Sequence, residues 1–367
     1  MEYFFSAVTV LYLLLHLYLL SGLIKSIKIR KGNQDNKPEV SLIVAARNEN
    51  DNIASCIKSL AKINYPESLL EIILVNDNST DDTFEIMSKE SKGKDFFRVI
   101  NSRINPEGNL KGKANALDTA IEICSGTVII TTDADCTVNP EWAKTMTGYY
   151  DNDTGMVCGF TGIRQDGTLF TSLQNLDWMY LLALASSSAG LNHIMSCLGN
   201  NLSFTKKAYY DTGGYKSISF SVTEDLALMR KIDSSGKYKI RFPVDDKCLA
   251  ETLPCKNLKE LFSQKRRWFR GGTGINLLGY ITGFELYTMN LMLVSGFFFM
   301  DIQNYLMLIV VKSFSELILL SVVLKKFNSL KQLIIYPVFI LYFAFYGLLL
   351  PLSFLFSRKI NWKGRKF

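Results

Sequence analysis

Histidine is nearly missing from this chain of 367 residues, which holds only His16 and His193. The seven cysteines (Cys56, Cys124, Cys136, Cys158, Cys197, Cys248 and Cys255) are scattered, with no C-x-x-C pair. A zinc site therefore lacks its usual ligands. A disulfide scaffold is excluded as well, and the pattern suits a reducing cytosol. Proline is scarce, at eight, and no low-complexity tract occurs, so a disordered chain is excluded. What the sequence has in excess is apolar side chains, at 48%, beside 20% charged ones. That mixture suits a polar domain joined to membrane segments.

The net charge of +7 (41 basic against 34 acidic residues) is gathered in clusters. Lys25, Lys28, Arg30 and Lys31 follow the first apolar run. Lys256, Lys259, Lys265, Arg266, Arg267 and Arg270 precede the next, and Arg358, Lys359, Lys363, Arg365 and Lys366 close the chain. Basic clusters beside apolar runs read as membrane edges facing the cytoplasm. No recognition motif supports nucleic-acid binding.

Tyr3–Ile24 is uncharged and Leu-rich, long enough to cross a hydrocarbon core. Glu2 precedes it and cations follow, which is the reverse of a cleaved secretory signal. The expectation is an anchor over residues 1–31 with its N-terminus outside. Three further apolar runs, near 275–300, 302–324 and 333–356, form a membrane region over 271–357 before a basic tail at 358–367. Lys312 and Glu316 stand at i and i+4, able to neutralise each other inside a bundle. Three crossings put the tail outside, against the positive-inside rule. Run 275–300, interrupted by Glu285 and several glycines, is thus the first suspect for a partial or interfacial segment. The last run, with Pro337 and Pro351, is the second.

Between the membrane parts, residues 38–270 alternate strands and helices. Strands are expected at Val40–Ala45, Ile72–Val75, Phe97–Ile100 and Thr127–Thr132. Helices are expected at Asn52–Ile63, Asp81–Lys89 and Lys113–Cys124, the second capped by Thr80 or Asp81. Repeated β-α units imply an α/β fold with a mainly parallel sheet and helices on both faces. Ligands of such sheets sit beyond the carboxyl ends of the strands.

Three acidic positions pass that test. Asp133 and Asp135 follow a β-branched strand, and at i and i+2 they point the same way. Such a pair suits a hard divalent cation, Mg²⁺ or Mn²⁺, bridging a diphosphate; an Asx turn is the plainer alternative. Asp77 follows Ile-Ile-Leu-Val-Asn, where turn chemistry is the alternative. Asp225, in Thr223-Glu224-Asp225, opens a helix through Ile232, as either a base or a cap. Lys113 stands where a helix begins, suited to phosphate or merely solvated. Gln264-Lys-Arg-Arg-Trp268 is either a bilayer-edge segment or a clamp on a pyrophosphate with Trp268 stacking on a ring.

Taken in order, Ala45-Ala-Arg-Asn-Glu49, Asp77, Lys113, Asp133-Ala-Asp135, Thr223-Glu-Asp225 and Gln264-Lys-Arg-Arg-Trp268 resemble family 2 glycosyltransferases. These belong to the inverting, membrane-associated branch that includes cellulose, hyaluronan and poly-N-acetylglucosamine synthases and ceramide glucosyltransferases. The resemblance covers residues 38–270, and Asn361-Trp-Lys-Gly-Arg365 also looks like the tail of such enzymes. Asn76 departs from the pattern, standing where the family often has a second Asp. The chain also has fewer spans than the large polymer-secreting synthases.

The resemblance implies a GT-A fold and a hexosyltransferase that uses a UDP-sugar of glucose or N-acetylglucosamine type. Its acceptor would be a lipid or glycan at the cell (inner) membrane; a processive polysaccharide synthase is the alternative. It further implies that Asn48, Glu49 and Asp77 contact uridine, that Lys113 meets the diphosphate, and that Asp133 and Asp135 hold the metal and ribose. Asp225 would be the general base, with Glu224 beside it on the acceptor side. Gln264, Arg267 and Trp268 would close over the pyrophosphate and acceptor sugar. Gly199-Asn200-Asn201, expected after a strand, would line the acceptor side. A non-catalytic scaffold would be expected to lack Asp135 or Asp225, and both are present. A transporter is disfavoured by the small number of spans.

Overall fold

The computed structural model describes residues 2–32, 37–104, 110–272, 274–356, 361–362 and 365–366. Arg358, Lys359, Lys363 and Gly364, named above, lie outside the described residues. Helix α1 (Glu2–Ile27) leads into strand β1 (Val40–Ala46), helix α2 (Ile53–Leu60) and β2 (Leu70–Asn76). Then come α3 (Thr83–Ser91), β3 (Phe97–Asn101), α4 (Lys113–Ile123) and β4 (Val128–Asp133). The second half of the domain runs β5 (Thr137–Val138), α5 (Trp142–Thr147), β6 (Thr154–Cys158), β7 (Thr161–Ile163) and α6 (Leu169–Gly190). It continues through β8 (Leu202–Thr205), α7 (Lys206–Asp211), α8 (Glu224–Ser234), β9 (Lys239–Arg241), β10 (Ala250–Thr252) and α9 (Leu258–Gly271). The chain then forms α10 (Leu277–Phe299), α11 (Ile302–Lys326) and α12 (Tyr336–Phe356).

The main sheet has seven strands in the order β3-β2-β1-β4-β8-β6-β9. The first four are mutually parallel, β8 is antiparallel to both of its neighbours, and β6 and β9 are parallel. Strands β1, β2 and β4 are buried along nearly all of their length, and β1 and β2 are mostly apolar, because both faces are covered. Leu42, Val44, Ile72 and Leu74 pack with α2, α3 and α5, while Ile43, Ile73 and Val75 pack with α4 and α6. Register sets the parallel ends level: Ala46 pairs with Asn76, and Ala45 with Asp133. A small sheet, β5-β10-β7, flanks this rim.

Three expectations need correction. Gly199-Asn200-Asn201 precedes a strand rather than following one. Because β8 runs antiparallel, its beginning lies at the same rim as the ends of β1, β2 and β4, and Leu202 pairs with Thr131. The residue at the start of α3 is Asp82, which makes no side-chain cap; Asp81 instead accepts from the Thr83 N–H at 3.1 Å. Run 275–300 is not interrupted: α10 is one helix of 23 residues, with Glu285 turned inward and only 9% exposed.

Among the described residues, four helices are long and apolar enough to cross a membrane: Phe5–Ile27, Leu277–Phe299, Ile302–Lys326 and Leu330–Ser353. They share one apolar core with α6 and the α4 face of the sheet. Helices α1 and α6 touch backbone to backbone: a Cβ on Gly22 would lie 2.0 Å from the Ser187 carbonyl oxygen. Lys312 and Glu316 form a fully buried ion pair, and the Tyr12 and Tyr336 hydroxyls donate to Glu316 at 2.9 and 2.7 Å. Filling the carboxylate's lone pairs in this way is what makes a buried charge tolerable.

Candidate active site

The ends of β1 and β2 build the first wall. Asp77, 5% exposed, continues the ladder by donating its N–H to the Ala46 carbonyl at 2.8 Å. Its Oδ1 accepts from the Ser102 hydroxyl at 3.2 Å, and Arg47 donates to its carbonyl at 2.9 Å. Glu49 is buried beside it and accepts from the Asn52 amide at 2.8 Å. Asn48 adopts φ 52° and accepts from the Thr80 N–H at 2.9 Å. It braces the 78–80 turn and is not on the cavity wall. Asn76 donates to Asn101 at 2.8 Å and accepts from the Ser79 N–H at 3.1 Å. An ionised Asp could not make both bonds.

The second wall gathers charge from four segments. Lys113, the first residue of α4, reaches Asp133 at 2.5 Å and Glu224 at 3.4 Å. Burial pulls its pKa down, but the charges of Asp133, Glu224 and Asp225 more than reverse this, so Lys113 is held cationic. Burial raises the Glu224 carboxyl; Lys113 opposes that shift and Asp225 adds to it. Asp225 accepts from the Gly199 N–H at 2.5 Å and from the Leu226 N–H at 2.8 Å. A Cβ on Gly199 would come within 3.0 Å of Asp225 and 3.2 Å of the Lys113 Nζ, so the missing side chain is what lets the three converge.

Asp133 ends β4, and Asp135 follows two residues on. Cys136 donates its thiol to Asp135 at 3.5 Å. Burial first, and then the charges of Asp135 and Asp133, push the Cys136 and Cys56 thiols up, so both stay protonated at neutral pH. The donors offered are thus carboxylate oxygens, which fits a hard divalent cation. No three of His, Cys, Asp and Glu cluster to hold a metal among the described residues. A cation at Asp133 and Asp135 would therefore complete its shell with ligand and water oxygens.

Helix α9 is the third wall. Gln264, Arg267 and Trp268 share one face at i, i+3 and i+4. The Gln264 Oε1 is buried with no hydrogen-bond partner among the described residues, and Arg267 donates to the Val222 carbonyl at 3.3 Å. Trp268 meets Trp178 of α6 edge-on, with ring centroids 5.0 Å apart. Lys265 points elsewhere, into a buried ion pair with Asp177. Tyr346 and Tyr342 of α12 donate to that carboxylate at 2.5 and 3.4 Å. This tie fixes how α9 presents its cavity face.

Asp77, Lys113, Asp133, Asp135, Glu224 and Asp225 line one cavity of about 480 Å³. Glu49, Gly199, Asn200, Gln264, Arg267 and Trp268 line it too. Of the residues singled out in the sequence, Asn48 and Asn201 stand apart from it. Asn201 is fully buried, accepting from the Trp142 indole at 3.0 Å and donating to the Phe160 and Cys248 carbonyls at 2.6 and 2.8 Å. Sequence reading quoted Arg47 within the Ala45–Glu49 motif but gave it no role, and it missed Asp177 and Trp178. The available signal for Asp177 was a lone acid within the apolar stretch of α6.

The profile of glycosyl transferase family 2 matches residues 41–227, half of the chain. The chain belongs to that family. Poly-beta-1,6-N-acetyl-D-glucosamine synthase of Staphylococcus epidermidis is 26% identical to this family 2 chain over 235 residues, 64% of this chain and 54% of the relative. The chain thus spans about half the length of such curated relatives. The probable glycosyltransferase YdaM of Bacillus subtilis is 29% identical over 286 residues, covering 73% of this chain and 65% of the relative. Among solved structures, the mannosyltransferase PcManGT from Pyrobaculum calidifontis, in complex with GDP-Man and Mn²⁺, superposes with a TM-score of 0.61. It covers 95% of this chain and 98% of its own at 16% identity, a likeness of fold. The fold of this family 2 chain is the GT-A type, joined to helices suited to a membrane.

Proposed function

We propose that this chain is a membrane-bound inverting glycosyltransferase. It moves a sugar of glucose or N-acetylglucosamine type from UDP to a lipid-linked or glycan acceptor and forms a β-glycosidic bond. The observation that carries this reading is that Asp225, the Lys113–Asp133 pair, Asp135 and the Gln264–Trp268 face share one cavity. Asp77 and Glu49, on the β1/β2 side, are suited to the uridine. Lys113 and Arg267 meet the diphosphate, and the unfilled Gln264 acceptor and the Trp268 ring face the sugar side. Asp225 is held by two backbone N–H groups, which fix its orientation and leave each oxygen a lone pair. It takes the proton of an acceptor hydroxyl as that oxygen attacks the anomeric carbon, work typically worth about 10²–10⁴-fold. One displacement opposite the leaving UDP inverts the centre. Mg²⁺ or Mn²⁺ on Asp133 and Asp135 would supply charge neutralisation to the diphosphate.

The basic residues Lys25–Lys31 beside α1, and Lys325, Lys326 and Lys331 around the α11–α12 connection, support a cytoplasmic catalytic domain at the cell membrane. That connection docks on the domain, where Asn175 donates to Gln332 at 2.7 Å. The named activity of the Staphylococcus relatives favours a second reading, a processive polysaccharide synthase. Screening UDP-sugars for UDP release by the purified chain in lipid tests the reading. Release with UDP-glucose or UDP-N-acetylglucosamine is expected; none with any UDP-sugar would refute it.

A further inference from the structure

The cavity does not stop at the carboxylates. Beyond the Trp178–Trp268 corner its walls become apolar. Helix α6 contributes Trp178, Leu181, Leu182 and Ala185, and α10 contributes Gly279, Thr282, Gly283 and Leu286. Apart from Leu184, which also lines the space, both sets are spaced i, i+3, i+4 and i+7, one face of each helix turned to the same space. The second wall belongs to a helix of 23 residues that is apolar enough to cross a membrane.

The groove also opens sideways. Gly283 lines the cavity and is itself exposed, and its neighbours Tyr280 and Phe284 are 54% and 68% exposed. A Cβ on Gly283 would meet nothing within 4 Å among the described residues, whereas one on Gly279 would press on Ile275 at 2.8 Å. An opening rimmed by exposed apolar side chains on a candidate membrane helix faces acyl chains more readily than water.

We propose that the groove between α6 and α10 binds the apolar chain of an amphiphilic acceptor, which enters sideways from the bilayer at Gly283. The chain lies along Leu181, Ala185 and Leu286. The hydroxyl-bearing head passes the Trp178–Trp268 corner and meets Asp225, where its O–H proton goes to the carboxylate as the new C–O bond forms and UDP leaves. The proposal rests on the transferase reading of the same cavity and narrows its acceptor to a lipid.

The test uses the full chain in proteoliposomes made with a membrane-lipid extract, supplied with tritiated UDP-glucose or UDP-N-acetylglucosamine. Gly283→Phe places a ring in the groove from a position where an added Cβ meets nothing within 4 Å among the described residues, and Gly283→Ala is the graded control. Label is expected in the chloroform–methanol phase for the native chain. It should fall at least about tenfold in Gly283→Phe and less in Gly283→Ala. UDP affinity by calorimetry should stay within about twofold. Label found only in a water-soluble polymer, or organic-phase label unchanged by Gly283→Phe, would overturn the lipid groove while leaving the transferase reading intact. Absence of both UDP binding and labelled product in the native chain would overturn the two together.

Discussion

Two of the lysines that face carboxylates, Lys265 and Lys113, sit in opposite circumstances. Lys265 is 3% exposed against a fully buried Asp177, two tyrosine hydroxyls fill the carboxylate, and the Trp268 and Tyr346 rings lie 4.8 and 5.3 Å from the ammonium. Lys113 is 26% exposed on a cavity wall and faces Asp133, Glu224 and Asp225 together. Around the whole cavity four cations (Arg47, Lys111, Lys113 and Arg267) stand against six acids (Glu49, Asp77, Asp133, Asp135, Glu224 and Asp225), which leaves the lining short of positive charge. A cation, or a hydroxyl able to give up a proton, relieves that shortage. A closed pair with its valences filled joins structural elements, whereas an unbalanced group at an opening is available for chemistry.

The largest effect should come from metal removal. Excess EDTA is expected to bring transfer to background, with Mg²⁺ or Mn²⁺ restoring it; full turnover in EDTA would remove Asp133 and Asp135 from the chemical side of the comparison. Next, Asp225→Asn should lower turnover by about 10²–10⁴-fold while calorimetry finds UDP binding nearly intact. Unchanged turnover would mean that the open cluster does no proton transfer. At the closed pair the effect should be on folding. Lys265→Met leaves Asp177 buried and uncompensated, at a cost of about 3–5 kcal/mol, seen as a lower Tm in detergent. Adding Asp177→Leu should recover most of that loss. A Lys265→Met protein with native Tm and no activity would move Lys265 to the chemical side. The smallest effect is sought at Gly199→Ala. The added methyl presses on Asp225 and Lys113 and should cost between about 10- and 100-fold in turnover with little change in Tm.

The same contrast explains what the sequence disclosed. The open cluster was legible because each member follows a strand or opens a helix, and the apolar runs of β1 and β2 and the β-branched run of β4 announce themselves. The closed pair was not, because Asp177 and Lys265 meet only in three dimensions and neither has a local partner. The direction of β8 was hidden because four residues, Leu-Ser-Phe-Thr, read alike in either sense. Asn200 and Asn201 look equivalent in the sequence. At the mouth of a strand neighbours face opposite sides, so one lines the cavity and the other stitches the core. Glu285 and the glycines of α10 suggested an interruption. The acid is instead turned into the bundle, and Gly283 leaves a gap in a wall that the helix itself keeps continuous.

The account turns on Asp225 activating a hydroxyl for one displacement at the anomeric carbon. The anomeric configuration of the freshly transferred sugar, read by proton NMR from an α-linked UDP-sugar donor, tests this most directly. A β-linkage is the expected result. An α-linkage would contradict the single displacement and, with it, the role of Asp225.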